Sequence, residues 1–296
     1  MKKFLMAILP AVALLLLSCE PKVEDPAEGL LAKACTEFED GKYSNAKMLI
    51  DSIKIVSPKA YGVQRDAELL RRKVMISEKE RDVQFLENEL SVMVAKRDSM
   101  IARLTLNKDK RFQDKGFYTL PSQNLTKSID KNFMRASVHE DGVMYLTSYY
   151  RGKKIGHTTV KLSVGEDYAM CEKPFLSRSY VDEGVNNERC DYRYGMDNGL
   201  IDFILSAKGP IKVELAGRGG KACYTLRQSD IDAVWQMFKL AKSFEAVKEF
   251  EEMLDKARHT LEFLRRNEQR SAAKTRERNG EPVEVADTTG NVVNAD

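Results

Sequence analysis

Histidine and cysteine, which commonly hold zinc or take part in nucleophilic catalysis, are few in this chain and fall at unsuitable spacings. Three histidines lie far apart: His139, His157 and His259. No Cys-x-x-Cys and no Gly-x-Ser-x-Gly occurs, although zinc sites and hydrolase nucleophiles commonly use these patterns. His157 could meet Cys171, Cys190 and Cys223 as zinc ligands, or serve Cys223 as a base, but ordinary core positions explain these residues more simply. The sequence therefore predicts no catalytic residue, no metal and no separately bound cofactor.

A group of tyrosines and arginines in the middle of the chain is the best candidate for a binding surface. Tyrosine and arginine are favoured as interface anchors, and tyrosine rings can stack against sugars. The alternative is that the tyrosines face a core and keep only their hydroxyl groups in water. The candidate binding patch consists of Tyr145, Tyr149, Tyr150, Arg151, Tyr192, Arg193 and Tyr194.

The first nineteen residues carry a processing and attachment signal. A basic start at Lys2 and Lys3 precedes an apolar run from Phe4 to Leu17, which is too short to span a membrane comfortably. The run ends in Leu16-Leu17-Ser18-Cys19, which resembles the lipobox of bacterial lipoproteins. The resemblance implies that 1–18 is a signal peptide that is removed and that Cys19 carries a diacylglyceryl group and an N-acyl chain.

The same resemblance implies a location. Glu20 follows Cys19, whereas Asp at this position commonly retains lipoproteins at the inner membrane. We therefore expect the outer membrane, with the protein on the periplasmic face or the cell surface and 19–26 as a lipidated tether. The net charge of +3 becomes +1 once Lys2 and Lys3 are removed, so no field attracts nucleic acid. The expected partners are the membrane, through the lipid, and another protein of the envelope.

Cys171 and Cys190 form a possible disulfide. They flank the polar, irregular stretch 172–188, and the compartment outside the inner membrane permits disulfides. A bridge over a loop of that size would contribute about 3 kcal/mol to stability. The alternative is that these cysteines are small apolar core residues.

A helical hairpin is predicted for 27–63. Its first helix carries apolar residues at three- and four-residue spacing, a break follows at Gly41, and Pro58 ends the second helix. The hairpin resembles a single tetratricopeptide repeat through Leu30, Ala34, Gly41, Tyr43, Ala46 and Pro58. Glu37 departs from that motif, and an ordinary helical hairpin fits equally well. A single repeat cannot form the peptide-binding groove of repeat arrays.

Two long helices are predicted for 64–109 and 227–270. Both carry apolar residues at alternating three- and four-residue spacing, which is the pattern of a coiled-coil seam. An antiparallel pair within one chain is the simpler solution, since a chain that returns supplies each seam with a partner. A homodimer through a parallel coiled coil would also satisfy the seams. The segment 271–296 lacks an apolar stripe and is predicted to be a disordered tail.

Between the two helices, 110–226 is predicted to be an antiparallel β-domain with at most one short helix. Alternating residues predict strands at 142–150 and 154–164, paired with each other around 151–153. Further strands are expected at 168–171, 190–194, 211–215 and 223–226, and a short helix at 198–205. The glycine-rich stretch 217–221 lacks P-loop spacing and predicts a hairpin turn instead. The chain is thus expected to be an α+β protein.

These elements predict a lipid-anchored, non-enzymatic protein of the cell envelope. A tether, a helical stalk and a β-domain together would hold a binding surface away from the membrane for interaction with another envelope component. The first alternative is a lipoprotein that binds a glycan or a peptide. A hydrolase of envelope polymers is the third hypothesis.

Overall fold

The computed structural model describes residues 25–123 and 132–279, which form an α+β protein with antiparallel sheets, as predicted. The chain divides into two compact units, one made of residues up to 80 with those from 261 onward, and the other of residues 81–260. The helices are α1 (Pro26–Glu39), α2 (Tyr43–Val56), α3 (Tyr61–Ile101), α4 (Leu200–Ser206) and α5 (Gln228–Asn279).

The first unit contains the predicted helical hairpin. Ala34 of α1 and Ala46 of α2 are fully buried, because small side chains let two helices approach closely. Asp25 caps α1 by accepting from the Ala27 N–H at 3.0 Å, and it also accepts from the Ser57 hydroxyl at 2.6 Å. The hairpin shares its core with the start of α3, because Ala67, Leu70 and Val74 are buried in the same cluster.

Ten strands are present in the described part of the second unit. They are β1 (Thr105–Asn107), β2 (Phe117–Thr119), β3 (Phe133–His139), β4 (Met144–Gly152), β5 (His157–Val164), β6 (Asp167–Cys171), β7 (Leu176–Asp182), β8 (Val185–Arg193), β9 (Lys212–Gly217) and β10 (Gly220–Thr225). Six of them form one antiparallel sheet in the order β1-β2-β3-β4-β8-β7, and the other four form a second sheet in the order β10-β9-β5-β6.

The predicted pairing of 142–150 with 154–164 is wrong. β4 pairs with β3 and β8, whereas β5 pairs with β6 and β9 in the other sheet. The two strands each carry an apolar face, and these faces belong to one common core instead of lying side by side in one sheet. The predicted hairpin at 217–221 does form, between β9 and β10. A Cβ atom at Gly217 would collide with the Gly156 carbonyl oxygen, so only glycine fits there.

The core of the second unit contains apolar side chains from both sheets and from α4. Met144 and Leu146 of β4 and Val160 and Leu162 of β5 are buried in it, as strand alternation requires. The start of α5 also contributes buried side chains to this core: Val234, Met237 and Leu240. This part of the predicted seam therefore packs on the β-domain.

Further along α5, apolar side chains of the helix are buried against α3. Leu86 of α3 is buried with Leu254 and Ala257 of α5. Beside this cluster, the Arg258 guanidinium donates to the Glu87 carboxylate at 2.8 Å. These contacts lie within the second unit.

The boundaries of both long helices differ from the prediction. α3 ends at Ile101 because the following residues enter β1, which pairs with β2. α5 continues to Asn279, so the start of the predicted disordered tail is helical. Alanine, lysine, arginine and glutamate dominate this stretch, and they form helix without needing an apolar stripe. The rest of the tail, 280–296, lies outside the described residues.

Candidate functional site

The candidate patch of tyrosines and arginines is divided between the two faces of the six-stranded sheet. Tyr150, Tyr192 and Tyr194 lie on the side of the core, and the Tyr192 hydroxyl donates to the Thr158 carbonyl at 2.8 Å. The opposite face, here called the outer face, carries the remaining members of the patch: Tyr145, Tyr149, Arg151 and Arg193. The structure therefore does not bring all seven residues together on one surface.

The members on the outer face also differ in their surroundings. The Arg151 guanidinium forms ion pairs with the carboxylates of Asp182 and Glu183, at N–O distances of 3.3 and 3.6 Å. Arg193 lines a separate groove of about 520 Å³ along α5, whose lining holds four basic and four acidic side chains. Tyr145 and Tyr149 lie towards the middle of the sheet, beside two arginines that are not in the predicted patch. These are Arg135 and Arg189.

Strand register explains how these arginines meet. Tyr149 is directly opposite both Phe133 on β3 and Arg189 on β8, so the three side chains share the outer face. The Phe133 and Tyr149 rings stack with centroids 4.5 Å apart. The guanidinium carbons of Arg135 and Arg189 lie 5.2 and 5.7 Å from the centre of the Tyr149 ring. Such distances permit cation–π attraction.

A cleft of about 410 Å³ opens over this part of the outer face. It is bounded on one side by the segment after β1 and on the other by the start of β7. Four basic side chains and two acidic ones line it. The lining consists of Asn107, Lys108, Asp109, Gln113, Phe117, Thr119, Arg135, Ser137, Tyr145, Phe175, Leu176, Arg178, Arg189 and Asp191.

Arg135 is the unusual residue of this outer-face cleft. It is only 9% exposed, and its Nε has no hydrogen-bond partner among the described residues. Burial lowers the pKa of the Arg135 guanidinium below its ordinary value, although arginine remains charged in proteins. The hydroxyl of the neighbouring Tyr149 is also buried without a partner. Burial raises the pKa of that phenol.

The carboxylate nearest to Arg135 in register is already engaged. Asp191 accepts from the Thr147 hydroxyl at 2.5 Å and from Arg189 Nε at 3.0 Å. The pairing of β7 with β8 also places Arg178 directly opposite Arg189. Like charges directly opposite on one face destabilise a sheet. The outer-face cleft thus holds more positive charge than its own carboxylates neutralise.

A second arrangement lies on the core side of the same sheet and was not predicted. Ser148 Oγ is 2.9 Å from His157 Nε2, and His157 Nδ1 is 2.9 Å from Glu188 Oε2. A carboxylate only accepts, so Nδ1 carries the proton and Nε2 accepts from the Ser148 hydroxyl. This order of serine, histidine and carboxylate is that of a hydrolase triad.

This arrangement differs from a working triad because its three side chains are buried. Ser148 is 0% exposed, and His157 and Glu188 are almost as deeply buried. The Glu188 carboxylate also accepts from the backbone N–H groups of Ile155, Gly156 and His157. These bonds anchor the chain where it crosses from the first sheet to the second. A nucleophile must reach its substrate, and Ser148 does not reach a surface in this structure.

Sequence reasoning had a weak signal for these residues. Ser148 stands at an inward position of β4, in line with Met144 and Leu146, and a polar residue there needs a partner. The partner could not be identified, because Glu188 falls outside every predicted strand. Arg135 was missed for the same reason, since β3 was not predicted.

The four cysteines among the described residues are free thiols, so the possible disulfide between Cys171 and Cys190 is not formed in this structure. Cys190 belongs to the first sheet, where its thiol donates to the His157 carbonyl at 3.0 Å. Cys171 belongs to the second sheet. No group of three or more candidate metal ligands occurs in 25–123 or 132–279.

Cys19 and the other residues of the predicted lipidation signal lie outside the described residues. Within the described part, no helix combines the length and the apolar character needed to cross a bilayer. No protein-family model, curated protein or solved structure matches the chain.

Proposed function

We propose that this is a non-enzymatic, lipid-anchored protein of the bacterial cell envelope that binds another envelope component through the outer face of its six-stranded sheet. The observation that carries this proposal is the outer-face cleft, where Nε of the buried Arg135 has no hydrogen-bond partner among the described residues. A buried guanidinium N–H without a hydrogen-bond acceptor is costly to maintain unless something else supplies one. A binding role accounts for this cost better than a purely structural role does.

The anchor is the first part of the proposal. The lipobox-like end of the leader at Cys19 supports lipid attachment, and Glu20 supports the outer membrane, on its periplasmic face or at the cell surface. Replacing Cys19 with Ala should release the protein from membranes and abolish the added lipid mass. A Cys19→Ala protein that still partitions into membranes and keeps the added lipid mass would contradict lipid attachment at this residue.

A helical stalk made by α3 and α5 is the second part. The burial of Leu86 with Leu254 and Ala257, and the ion pair between Glu87 and Arg258, support a coiled-coil pairing of the two helices. The losses of stability caused by Leu86→Ala and Leu254→Ala should then be non-additive, because the two side chains lie in one cluster. Additive losses would speak against this pairing of the two helices.

Binding through the outer face can be tested by photo-crosslinking in living cells. Phe175 lines the outer-face cleft and is 57% exposed, whereas Tyr168 on β6 is 59% exposed and belongs to the other sheet. A photoreactive residue at position 175 should capture an envelope component that the same residue at 168 does not. Equal capture from both positions, or from neither, would refute the proposed surface.

A lipoprotein that binds a glycan or peptide is the next candidate, and the concave form of the outer-face cleft favours it over a flat protein interface. The hydrolase hypothesis is favoured only by the order of Ser148, His157 and Glu188. A serine-directed fluorophosphonate should not label the folded protein, because Ser148 is fully buried. Labelling that a Ser148→Ala change removes would revive the hydrolase.

A further inference from the structure

We propose that the outer-face cleft binds an anionic sugar. The carboxylate or phosphate of the sugar would bind to Arg135, and the sugar ring would lie against the aromatic side chains of the cleft. This inference rests on the proposed function, because it specifies the ligand class of the same surface. It adds a binding residue, Arg135, that the sequence patterns did not indicate.

The anionic group is inferred from Arg135. Its side chain is nine-tenths buried, lines the cleft and lacks a partner at Nε. Among the described residues, no carboxylate lies within ion-pair distance of it, since Asp191 is bonded to Arg189 and Thr147. A planar guanidinium matches a carboxylate or a phosphate with two parallel N–H bonds. Such a group would supply the counter-charge that the described residues do not place within ion-pair distance of Arg135.

Arg178 supports the same inference independently. It lies directly opposite Arg189 and lines the same cleft. Asp191 already neutralises Arg189, so the charge of Arg178 has no counterpart in the described residues. An anion bound near Arg135 would reduce the repulsion between these arginines. The more balanced charges of the groove along α5 show that this excess is a local property of the outer-face cleft.

The sugar ring of the ligand is inferred from three aromatic side chains that line the cleft. Tyr145 contacts Phe117 and Phe175 edge-on, with centroid distances of 5.6 and 5.7 Å. The three rings form a continuous apolar row beside polar groups such as Ser137 and Thr119. A sugar ring offers C–H groups to such a row and hydroxyl groups to the polar side chains. The cleft volume of about 410 Å³ falls in the range of small-ligand sites, roughly 300–1,000 Å³.

Calorimetric titration of the full mature chain in detergent tests the proposal. The probes are glucuronate, glucose 6-phosphate and glucose, which share a ring and differ in charge. At least one of the two anionic sugars should bind, and glucose should bind at least about tenfold more weakly, because a charge-assisted hydrogen bond contributes more than a neutral one. The preferred anionic sugar then distinguishes a carboxylate from a phosphate.

The variants identify the binding residue. Arg135→Gln should weaken binding of the anionic sugar at least about tenfold. Arg178→Gln should weaken it by a smaller factor, and this exposed residue can be changed without disturbing the fold. Arg193→Gln is the matched control, since Arg193 is on the same face but outside the cleft lining, and it should leave the affinity unchanged.

Several results would overturn the inference. They are no binding of either anionic sugar, equal binding of glucose, or a loss of affinity in the Arg193 variant as large as in the Arg178 variant. Capture of an envelope component from position 175 without binding of any sugar would leave the proposed function intact and remove only this inference. Sugar binding that depends on Arg135, by a chain that carries no lipid, would remove the proposed lipid-anchored function and leave this inference intact.

Discussion

Glu188 Oε2 lies 2.9 Å from His157 Nδ1, and the same carboxylate accepts from three consecutive backbone N–H groups between β4 and β5. Burial alone raises the pKa of Glu188, but these backbone bonds and the His157 ring outweigh it and hold the pKa below the ordinary value. The carboxylate is therefore charged, and it fixes the point at which the chain passes from one sheet to the other.

Replacing Glu188 with Gln should destabilise the fold strongly. The amide places an N–H₂ group among donors that need an acceptor, so backbone groups lose their partners in a buried site. Breaking such an arrangement costs about 3 kcal/mol or more. Urea unfolding measures the change, and Glu214→Gln, which removes an exposed ion pair with Lys221, is the control. Equal stability of the two variants would show that Glu188 does not hold the crossover.

His157 should make stability depend on pH just below neutrality. Burial lowers its pKa, against the opposing effect of Glu188, so the folded protein keeps the ring neutral. The unfolded chain binds the proton at about pH 6.5. Stability from this group is therefore present above that pH and is lost as the pH falls below it, by up to about 1.4 kcal/mol per pH unit.

The measurement is the urea midpoint between pH 7.5 and 5.5. The wild-type midpoint should fall across this window, and the His157→Gln midpoint should change much less. Glu188 contributes a further loss only at lower pH, since its depressed pKa lies below the ordinary carboxyl value. A pH dependence that persists unchanged in the His157→Gln protein would rule out this assignment.

The cysteines should differ sharply in reactivity towards iodoacetamide. Burial raises the pKa of Cys190 to about 11, and the thiolate is the reactive form. Cys223 is exposed. In the folded protein, mass spectrometry should find Cys223 alkylated and Cys190 unmodified. In urea without reductant all four thiols should react, whereas protection of Cys171 and Cys190 there would reveal the disulfide that this structure lacks.

Two buried tyrosine hydroxyls should respond in opposite ways to removal. The Tyr149 hydroxyl has no hydrogen-bond partner in 25–123 or 132–279, so Tyr149→Phe should leave stability unchanged or raise it, because an unsatisfied group is removed. The Tyr192 hydroxyl donates to the Thr158 carbonyl at 2.8 Å, so Tyr192→Phe should cost about 1 kcal/mol. Thermal unfolding of both variants measures this difference. A larger loss of stability in Tyr149→Phe than in Tyr192→Phe would contradict the prediction.

The fold was predictable where a local pattern reports it. The alternation of Met144 and Leu146 with Tyr145 and Thr147 indicated β4, and long stretches without proline or glycine indicated α3 and α5. β7 could not be found in this way, because all seven of its residues are exposed and it shows no alternation. Its position depends on backbone hydrogen bonds to β8, and no local sequence pattern predicts these bonds.

The candidate site was predictable only in part, for a related reason. Tyr145 lines the outer-face cleft, so one of its three aromatic side chains was predicted, whereas Phe117 and Phe175 were not. Arg135 and Arg189 are brought together by the order β3-β4-β8, in which β4 and β8 are neighbours in the sheet but are separated along the chain by β5, β6 and β7. That order depends on long-range pairing. Ser148, His157 and Glu188 meet only because two sheets share one core. The contact between them could not be predicted, because β4 and β5 were wrongly expected to pair in one sheet.

The contact between Leu86 of α3 and Leu254 of α5 should couple the stabilities of the two helices. Both side chains are buried in one cluster, at 8% and 4% exposure. Leu86→Ala and Leu254→Ala should each cost about 2–3 kcal/mol. Because residues in contact are not additive, the double variant should lose less than the sum by at least about 0.5 kcal/mol. Phe85→Ala is the control, since Phe85 is 59% exposed on the same helix, and it should combine additively with Leu254→Ala. Additivity in the Leu86 pair as well would mean that the two seams do not pack on each other in solution.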